Sequence, residues 1–491
     1  MILKDQPDRP GAFLRGRDER RWLLGLGIVT ACSWGRWLAT GSPKVDENYP
    51  SELAGGLLFV GLVVGWALLV VGWRGLLAHP PMQPRRLAFL GLGVAGVMLP
   101  MLSNDLFSVL SYASLAAQGR DVYTTVSWLP HSVWSPWVGE RWAEKVCVYG
   151  PTTLVAALPG ALGGANPWLA MAALRLAWFI PLALVMELSF RRFRDRPAFH
   201  AMVWLNPLWL VEGPGQLHTD LLGVVAVTAG ILLQTGGRPR AGWVLYGLAV
   251  LGKYTFVFDG LWFWLCGATT LRQRLLRLPV LAATVLGLAV LAFAPFWRGP
   301  ATLTEPIRAL AGMNPGGSIT EVAGILVDLL RGGGVPHAGS PVTSTLELDR
   351  ATHATTWWAV SLVLRVVTLG LAARLLTLVL RRPADRNRLA LGTGALAVAV
   401  ITLASHRFQS WYLLAALPFF GLHCTAAWRR WWLAVVALAV STEFVHVLPR
   451  ASALLPVWSV VTNGGVVVAF LAFFRARYWT LEDPSAAGGA R

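Results

Sequence analysis

The stretch MLPMLSNDLFSVLSYASLAAQGRDVY, residues 98–123, closes an apolar run and then sets Ser103, Asn104 and Asp105 at its edge. A carboxylate where hydrocarbon gives way to water is costly unless something holds it. Working outward, apolar windows on the scale of a bilayer crossing, roughly 17 to 25 residues, recur through the chain. They fall at 22–39, 54–77, 87–102, 168–190, 198–212, 219–235, 278–297, 356–380, 389–404, 411–428, 431–448 and 457–474. With 55% hydrophobic and 14% charged residues among 491, the composition excludes an ordinary soluble enzyme and predicts a polytopic membrane protein.

A net charge of +17 would suggest nucleic acid in a soluble protein, but the placement of the basic residues argues otherwise. Threading the spans alternately puts 1–21, 74–86, 191–196, 235–241, 272–277, 381–388, 429–430 and 475–477 on one face, with 26 of the 42 Lys and Arg. By the positive-inside rule that face is cytoplasmic, both termini lie there, and the long connections 103–148 and 298–355 are external. The expected organisation is a cytoplasmic basic N-terminus at 1–21, one transmembrane domain over 22–474 and a cytoplasmic tail at 475–491. Residues 22–39 could pass for a signal peptide, but Arg36 interrupts the run and the downstream charges need the crossing, so its retention is expected. Cys32, Cys147, Cys266 and Cys424 have no metal spacing and imply no disulfide framework.

Two segments strain the threading. Residues 149–163 are apolar but short and carry Pro151 and Pro159, which fits an interfacial or re-entrant helix. Residues 241–270 lie between two basic loops and therefore cross twice as short half-spans or not at all, with Lys253 near the tip. An ammonium at that depth is expensive unless it meets an anion or snorkels to water. Arg36, Arg175, Arg365 and Arg374 also fall inside spans, where interhelix pairing or snorkelling is the simpler reading.

Three polar clusters gather on the external face. After Asp105, the positions Leu106, Leu110, Ala113 and Ala117 repeat at helical spacing, with Asp105, Ser108 and Tyr112 on another face. This predicts an amphipathic helix along the membrane surface, for which Ser103, Asn104 and Asp105 could also serve simply as a cap. In WLNPLWLVEGPGQLHTDLLG, Asn206 and Pro207 break a span, and Glu212, Gln216, His218, Thr219 and Asp220 crowd the next turn. Thr219 and Asp220 could merely start a helix, and His218 with Asp220 is only a weak metal signal. In SHRFQSWYLLAALP, Arg407 could clamp a phosphate beside His406, and Trp411 and Tyr412 could stack on a sugar, although aromatic belts and snorkelling arginines are ordinary at interfaces. There is no phosphate-binding glycine loop and no cytoplasmic ATPase domain, so any chemistry must use a substrate activated elsewhere.

The segments SNDLFSVLSYASLAAQGRDVYTT, VYGPTTLVAALPGALGG, NPLWLVEGPGQLHTD, LGKYTFVFDGLWF and HRFQSWYLLAALP, in that order over roughly 85–430, resemble the GT-C superfamily of membrane glycosyltransferases. The likeness is greatest to bacterial polyprenol-phosphate-mannose-dependent α-1,6-mannosyltransferases. It implies an all-α bundle of about 12–14 transmembrane helices with external loop helices, in the bacterial cytoplasmic membrane. It assigns Asp105 as the catalytic base and maps the second acidic position onto Asp220. Asn104, Tyr112, Tyr123, Tyr149, Glu212, His218, Lys253, Arg298, His406, Arg407, Trp411 and Tyr412 become expected substrate contacts. Phe107 and Thr152 depart from the family pattern, which has Tyr and Leu there. The implied partners are a polyprenyl-phosphate sugar donor, a glycan or glycolipid acceptor and the bilayer, with no nucleic acid. No cofactor is required, because Arg or Lys can neutralise phosphate, although a divalent ion at His218 and Asp220 is compatible. The alternative is a lipid-linked saccharide transporter or flippase, against which the one-sided clustering speaks.

Overall fold

The computed structural model describes residues 16–41, 49–103, 105–126, 133–134, 137–138, 145–164, 166–311, 350–381, 385–404, 409–449 and separate positions between 452 and 472. Among these residues the fold is all helix, with no strand. The amino-terminal pair, α1 (Arg17–Thr40) and α2 (Glu52–Ala78), is followed by α3 (Pro84–Gly96) and α4 (Asp105–Ala117). Then come α5 (Pro151–Ala161), α6 (Pro167–Arg192), α7 (Pro197–Val203) and α8 (Pro207–Leu210), the last continuing as a π-helical turn over Val211–Gly215. Next are α9 (Asp220–Thr235), α10 (Pro239–Gly252), α11 (Gly260–Leu265), α12 (Leu271–Phe293), α13 (Ala301–Ala311) and α14 (Arg350–Arg381). The last labelled helices are α15 (Arg386–Ala399), α16 (Leu417–Leu422) and α17 (Ala426–Ser441).

Four described helices are long and apolar enough to cross a membrane unbroken: α2, α6, the segment Leu271–Phe296 and the segment Leu362–Arg381. A further pair, Pro207–Gly215 with Asp220–Thr235, is long and apolar enough only when taken together and is bent by 117° at its break, the form of a broken span or a re-entrant loop. The chain is a multi-pass membrane protein. Of the other predicted windows, 22–39 lies within the unbroken 24-residue α1 and 457–474 falls largely outside the described residues; the rest are shorter or interrupted helices, where neighbouring groups take up the freed backbone. On α2, Leu57, Val60, Val64 and Val71 keep helical spacing and stay exposed, as a lipid-facing stripe does. Its other face carries glycines that let backbones meet: a Cβ on Gly72 would lie 2.6 Å from the Trp22 amide nitrogen.

Tryptophan indoles meet several of the helix breaks. Past the end of α3, Trp34 Nε1 donates to the Val97 carbonyl at 2.8 Å and Trp37 Nε1 to Pro100 at 2.8 Å. Ser33 Oγ accepts from the Leu99 amide at 3.0 Å, and a guanidinium N–H of Arg175 donates to the Met98 carbonyl. Arg175 is thus a backbone clamp rather than a snorkelling residue or half of an ion pair. At the α7–α8 break, Trp22 Nε1 reaches the Leu205 carbonyl at 2.9 Å and Trp73 Nε1 reaches Ala201 at 2.7 Å. Each indole supplies the one donor that a carbonyl without a helical partner needs in an apolar setting. Arg36 is wholly buried, while Arg365 and Arg374 are exposed.

Two predicted segments take definite forms. Residues 151–161 are α5, packed on α4 and α6, and 241–270 fold as α10, a 3-10 turn over Tyr254–Asp259, and α11. Lys253 is the extended residue that ends α10. The α5 start is joined to this tip: Gly150 N–H donates to the Gly252 carbonyl at 3.1 Å and Thr153 Oγ1 to the same oxygen at 3.0 Å. A Cβ on Gly150 would lie 1.7 Å from the Leu251 carbonyl oxygen, so only glycine permits the contact. Gly150→Ala is therefore expected to cost about 1–3 kcal/mol, the usual range for overpacking. This would be read as a lowered melting temperature of the purified protein, and an unchanged melt would refute the contact.

Candidate active site

The break after α3 delivers Asp105 to the start of α4. Gln216 Oε1 accepts from the amides of Met101 at 2.8 Å and Leu102 at 3.0 Å, tying this break to the turn that carries His218. Ser103 Oγ then accepts from the Asp105 amide at 3.1 Å, the cap-like bond expected of the polar triplet. One expectation fails: residues 105–115 of α4 are all buried, so the helix has no wet face along a membrane surface. Its polar side is covered by the following connection, where Tyr112 Oη donates to the Lys145 carbonyl at 2.9 Å.

The second strand of the site is the bend between α8 and α9. Asn206 caps α8 by accepting from the Leu208 amide at 2.9 Å, and Pro207 occupies the first helical turn, where a missing N–H costs nothing. The chain then widens into the π turn that holds Glu212, a form often found at functional sites. Leu217 follows in the left-handed region at φ 56°, a strained conformation for a non-glycine residue. The surrounding turn holds that strain and aims His218 inward.

His218 stands between two carboxylates. Its Nδ1 is 3.6 Å from Asp105 Oδ2 and its Nε2 is 3.3 Å from Glu212 Oε2. These are ion-pair distances without hydrogen-bond alignment, for neither ring nitrogen has an aligned partner. The ring is fixed instead by stacking on Trp411 at a centroid distance of 3.8 Å and 16° between planes. Glu212 is held on its other oxygen by Ser410 Oγ, which donates at 2.8 Å. Asp105, Glu212, His218 and Ser410 thus form a chain across three segments remote in sequence.

A second pair flanks it. Lys253 Nζ donates to Asp220 Oδ2, with the Asp220 side chain fully buried and that of Lys253 8% exposed. The ammonium also lies 4.8 Å from the centre of the Tyr412 ring, a cation–π contact. Of the three cluster carboxylates, Glu212 and Asp220 have no accessible side-chain surface, whereas Asp105 keeps 12%.

The other predicted residues divide. Tyr149, in the connection before α5, lies near the cluster: burial first, then the Asp105 carboxylate and Tyr112, hold its phenol well above the usual range. Tyr123 instead spends its hydroxyl on the Tyr149 carbonyl at 3.1 Å and packs against Phe293 and Phe296. Arg298 is exposed and donates to the adjacent Trp297 carbonyl at 3.1 Å, with no contact to the cluster. Asn104, His406 and Arg407 lie outside the described residues. Gln216 is read from sequence only as a member of the polar turn, with no role, and Ser410 is not singled out, its only signal being a small polar residue in an otherwise apolar turn. Among the described residues no three His, Cys, Asp or Glu side chains are grouped as metal ligands.

Comparison with known proteins agrees with the order of motifs. Residues 23–266 match the family model described as alpha-(1->6)-mannopyranosyltransferase, N-terminal domain. The chain is 27% identical over 434 residues to alpha-(1->6)-mannopyranosyltransferase A of Mycobacterium tuberculosis, covering 82% of this chain and 80% of that protein. It is also 27% identical over 162 residues to the Corynebacterium glutamicum protein of the same name, covering 32% of this chain and 33% of that one. No solved structure matches significantly. The chain is a membrane glycosyltransferase of the GT-C type. It resembles the bacterial α-(1→6)-mannopyranosyltransferases, whose amino-terminal domain model it matches over just under half of its length.

Proposed function

We infer that the protein transfers a mannosyl group from a polyprenyl-phosphate donor to a hydroxyl of a glycan or glycolipid acceptor, at the external face of the cytoplasmic membrane. The observation that carries this reading is the Asp105–His218–Glu212 array, in which Asp105 alone among three clustered carboxylates retains accessible surface. Asp105 takes the acceptor proton as the acceptor oxygen bonds to the anomeric carbon. The bond from that carbon to the phosphate oxygen breaks in the same displacement, and polyprenyl phosphate leaves with the electron pair. A β-linked donor then yields an α-linked product. His218, set by Glu212 and Trp411, orients the carboxylate; a positioned base of this kind is typically worth about 10²–10⁴-fold.

Asp220 takes a different part from the one the motif implies. Its carboxylate is matched to Lys253, so the pair holds the hairpin tip against the bend, and Lys253 stands where its charge can be shared with a departing phosphate. Lipid tails would run along the exposed apolar helix faces.

Purified protein in vesicles, supplied with polyprenyl-phosphate mannose and a saccharide acceptor, should form a new α-linked mannoside and release polyprenyl phosphate. Movement of intact lipid-linked sugar across the bilayer, with no new glycosidic bond, would overturn this in favour of a flippase.

A further inference from the structure

At the far end of α9 from Asp220 lies a second site. α9 runs from Asp220 to Thr235, about 22 Å at 1.5 Å per residue, and Thr235 lines a cavity of about 230 Å³. The rim is cationic, with Arg192 at the end of α6, Arg196 in the following turn and Arg386 at the start of α15. The apolar part of the lining is Phe193, Trp262 and Leu422. Its acidic member, Asp195, is 90% exposed and 3.6 Å from Arg194 outside the cavity. Arg192 spends one N–H on the Thr235 carbonyl at 3.1 Å, leaving most of its five donors. Arg386 has no ion pair among the described residues.

Trp262 contributes apolar ring surface to the lining; its own indole N–H, like those of Trp209, Trp411 and Trp432, is buried and has no acceptor among the described residues. Three guanidinia over an apolar base suit a phosphodiester joined to an acyl glycerol.

We propose that this cavity, on the basic face, binds the phosphate of an anionic membrane phospholipid, its apolar base taking the first carbons of the glycerol ester. Basic pockets between helices on this face are the usual sites of such headgroups. The ligand is distinct from the sugar donor, because the cavity lies a helix length from Asp105 and its neighbours.

The test compares the purified protein in nanodiscs of phosphatidylcholine alone with nanodiscs containing one fifth cardiolipin, read as melting temperature. The expected result is a rise of a few degrees with cardiolipin, lost in Arg386→Gln and reduced in Arg192→Gln. Arg240→Gln removes an equal charge from the same face outside the cavity and should keep the rise. An equal loss in Arg240→Gln, or a full rise in both cavity variants, would overturn the proposal. Inorganic phosphate is added separately to the phosphatidylcholine discs. An equal, Arg386-dependent rise there would retain the phosphate site but overturn the lipid as its source.

Discussion

Asp105→Asn is expected to abolish measurable mannosyl transfer while leaving the protein inserted and folded. Asparagine keeps the size and helix-starting preference of aspartate, so the Ser103 bond and the α4 start should persist. What disappears is the one cluster carboxylate with accessible surface and the negative charge 3.6 Å from His218. Loss of a positioned base predicts a fall of about 10²–10⁴-fold in turnover. Donor affinity, measured by equilibrium binding in vesicles, should change little. Near-normal turnover would refute the base assignment, and loss of insertion would reduce Asp105 to a cap. Glu212→Gln makes a useful companion, since Glu212 acts on His218 from a fully buried position and should lower turnover less.

The second large effect concerns Lys253 and Asp220. Lys253→Met should destabilise the protein by about 3–5 kcal/mol, because it strands the buried Asp220 carboxylate without its counter-charge. Asp220→Asn strands the ammonium in the same way. The double variant should recover much of the loss, since removing both charges removes the need for either. Melting of the four proteins in detergent measures the coupling, and a double variant no better than the sum of the singles would show that the pair is not coupled. Transfer activity separates the two side chains: the double variant, stable but without the Lys253 charge beside the departing phosphate, should stay slow, and no slower than Lys253→Met measured at a temperature where both are folded. A double variant slower than Lys253→Met there would restore Asp220 to the catalytic role that the motif implies.

Much of the site was legible because charge is rare in this chain. Asp105, Glu212, His218, Asp220 and Lys253 interrupt apolar runs, and a polar side chain at that depth needs a reason. Legibility failed where the reason was another segment's backbone. Arg175 looks like a snorkelling or paired residue until the Met98 carbonyl, freed by the end of α3, is seen against it. The α4 pattern likewise predicts a wet face, but burial depends on the connection that Tyr112 holds over it. Ser410 carries no periodic signal, and only its contact with Glu212, 198 positions away in sequence, gives it a role.

The sequence by itself determined the solvent and the currency of this protein. Its apolar windows and the sidedness of its arginines require a multi-pass helical fold, since hydropathy is summed residue by residue and needs no partner. Its order of motifs pointed to the family. Only the tertiary structure decided how the acidic residues divide their work. Asp105 faces His218 and retains surface, Glu212 is locked by Ser410, and Asp220 is neutralised by Lys253. The physical reason is that a carboxylate's role is set by the charges and donors within a few ångströms of it, and here those come from segments separated by up to about two hundred residues of chain.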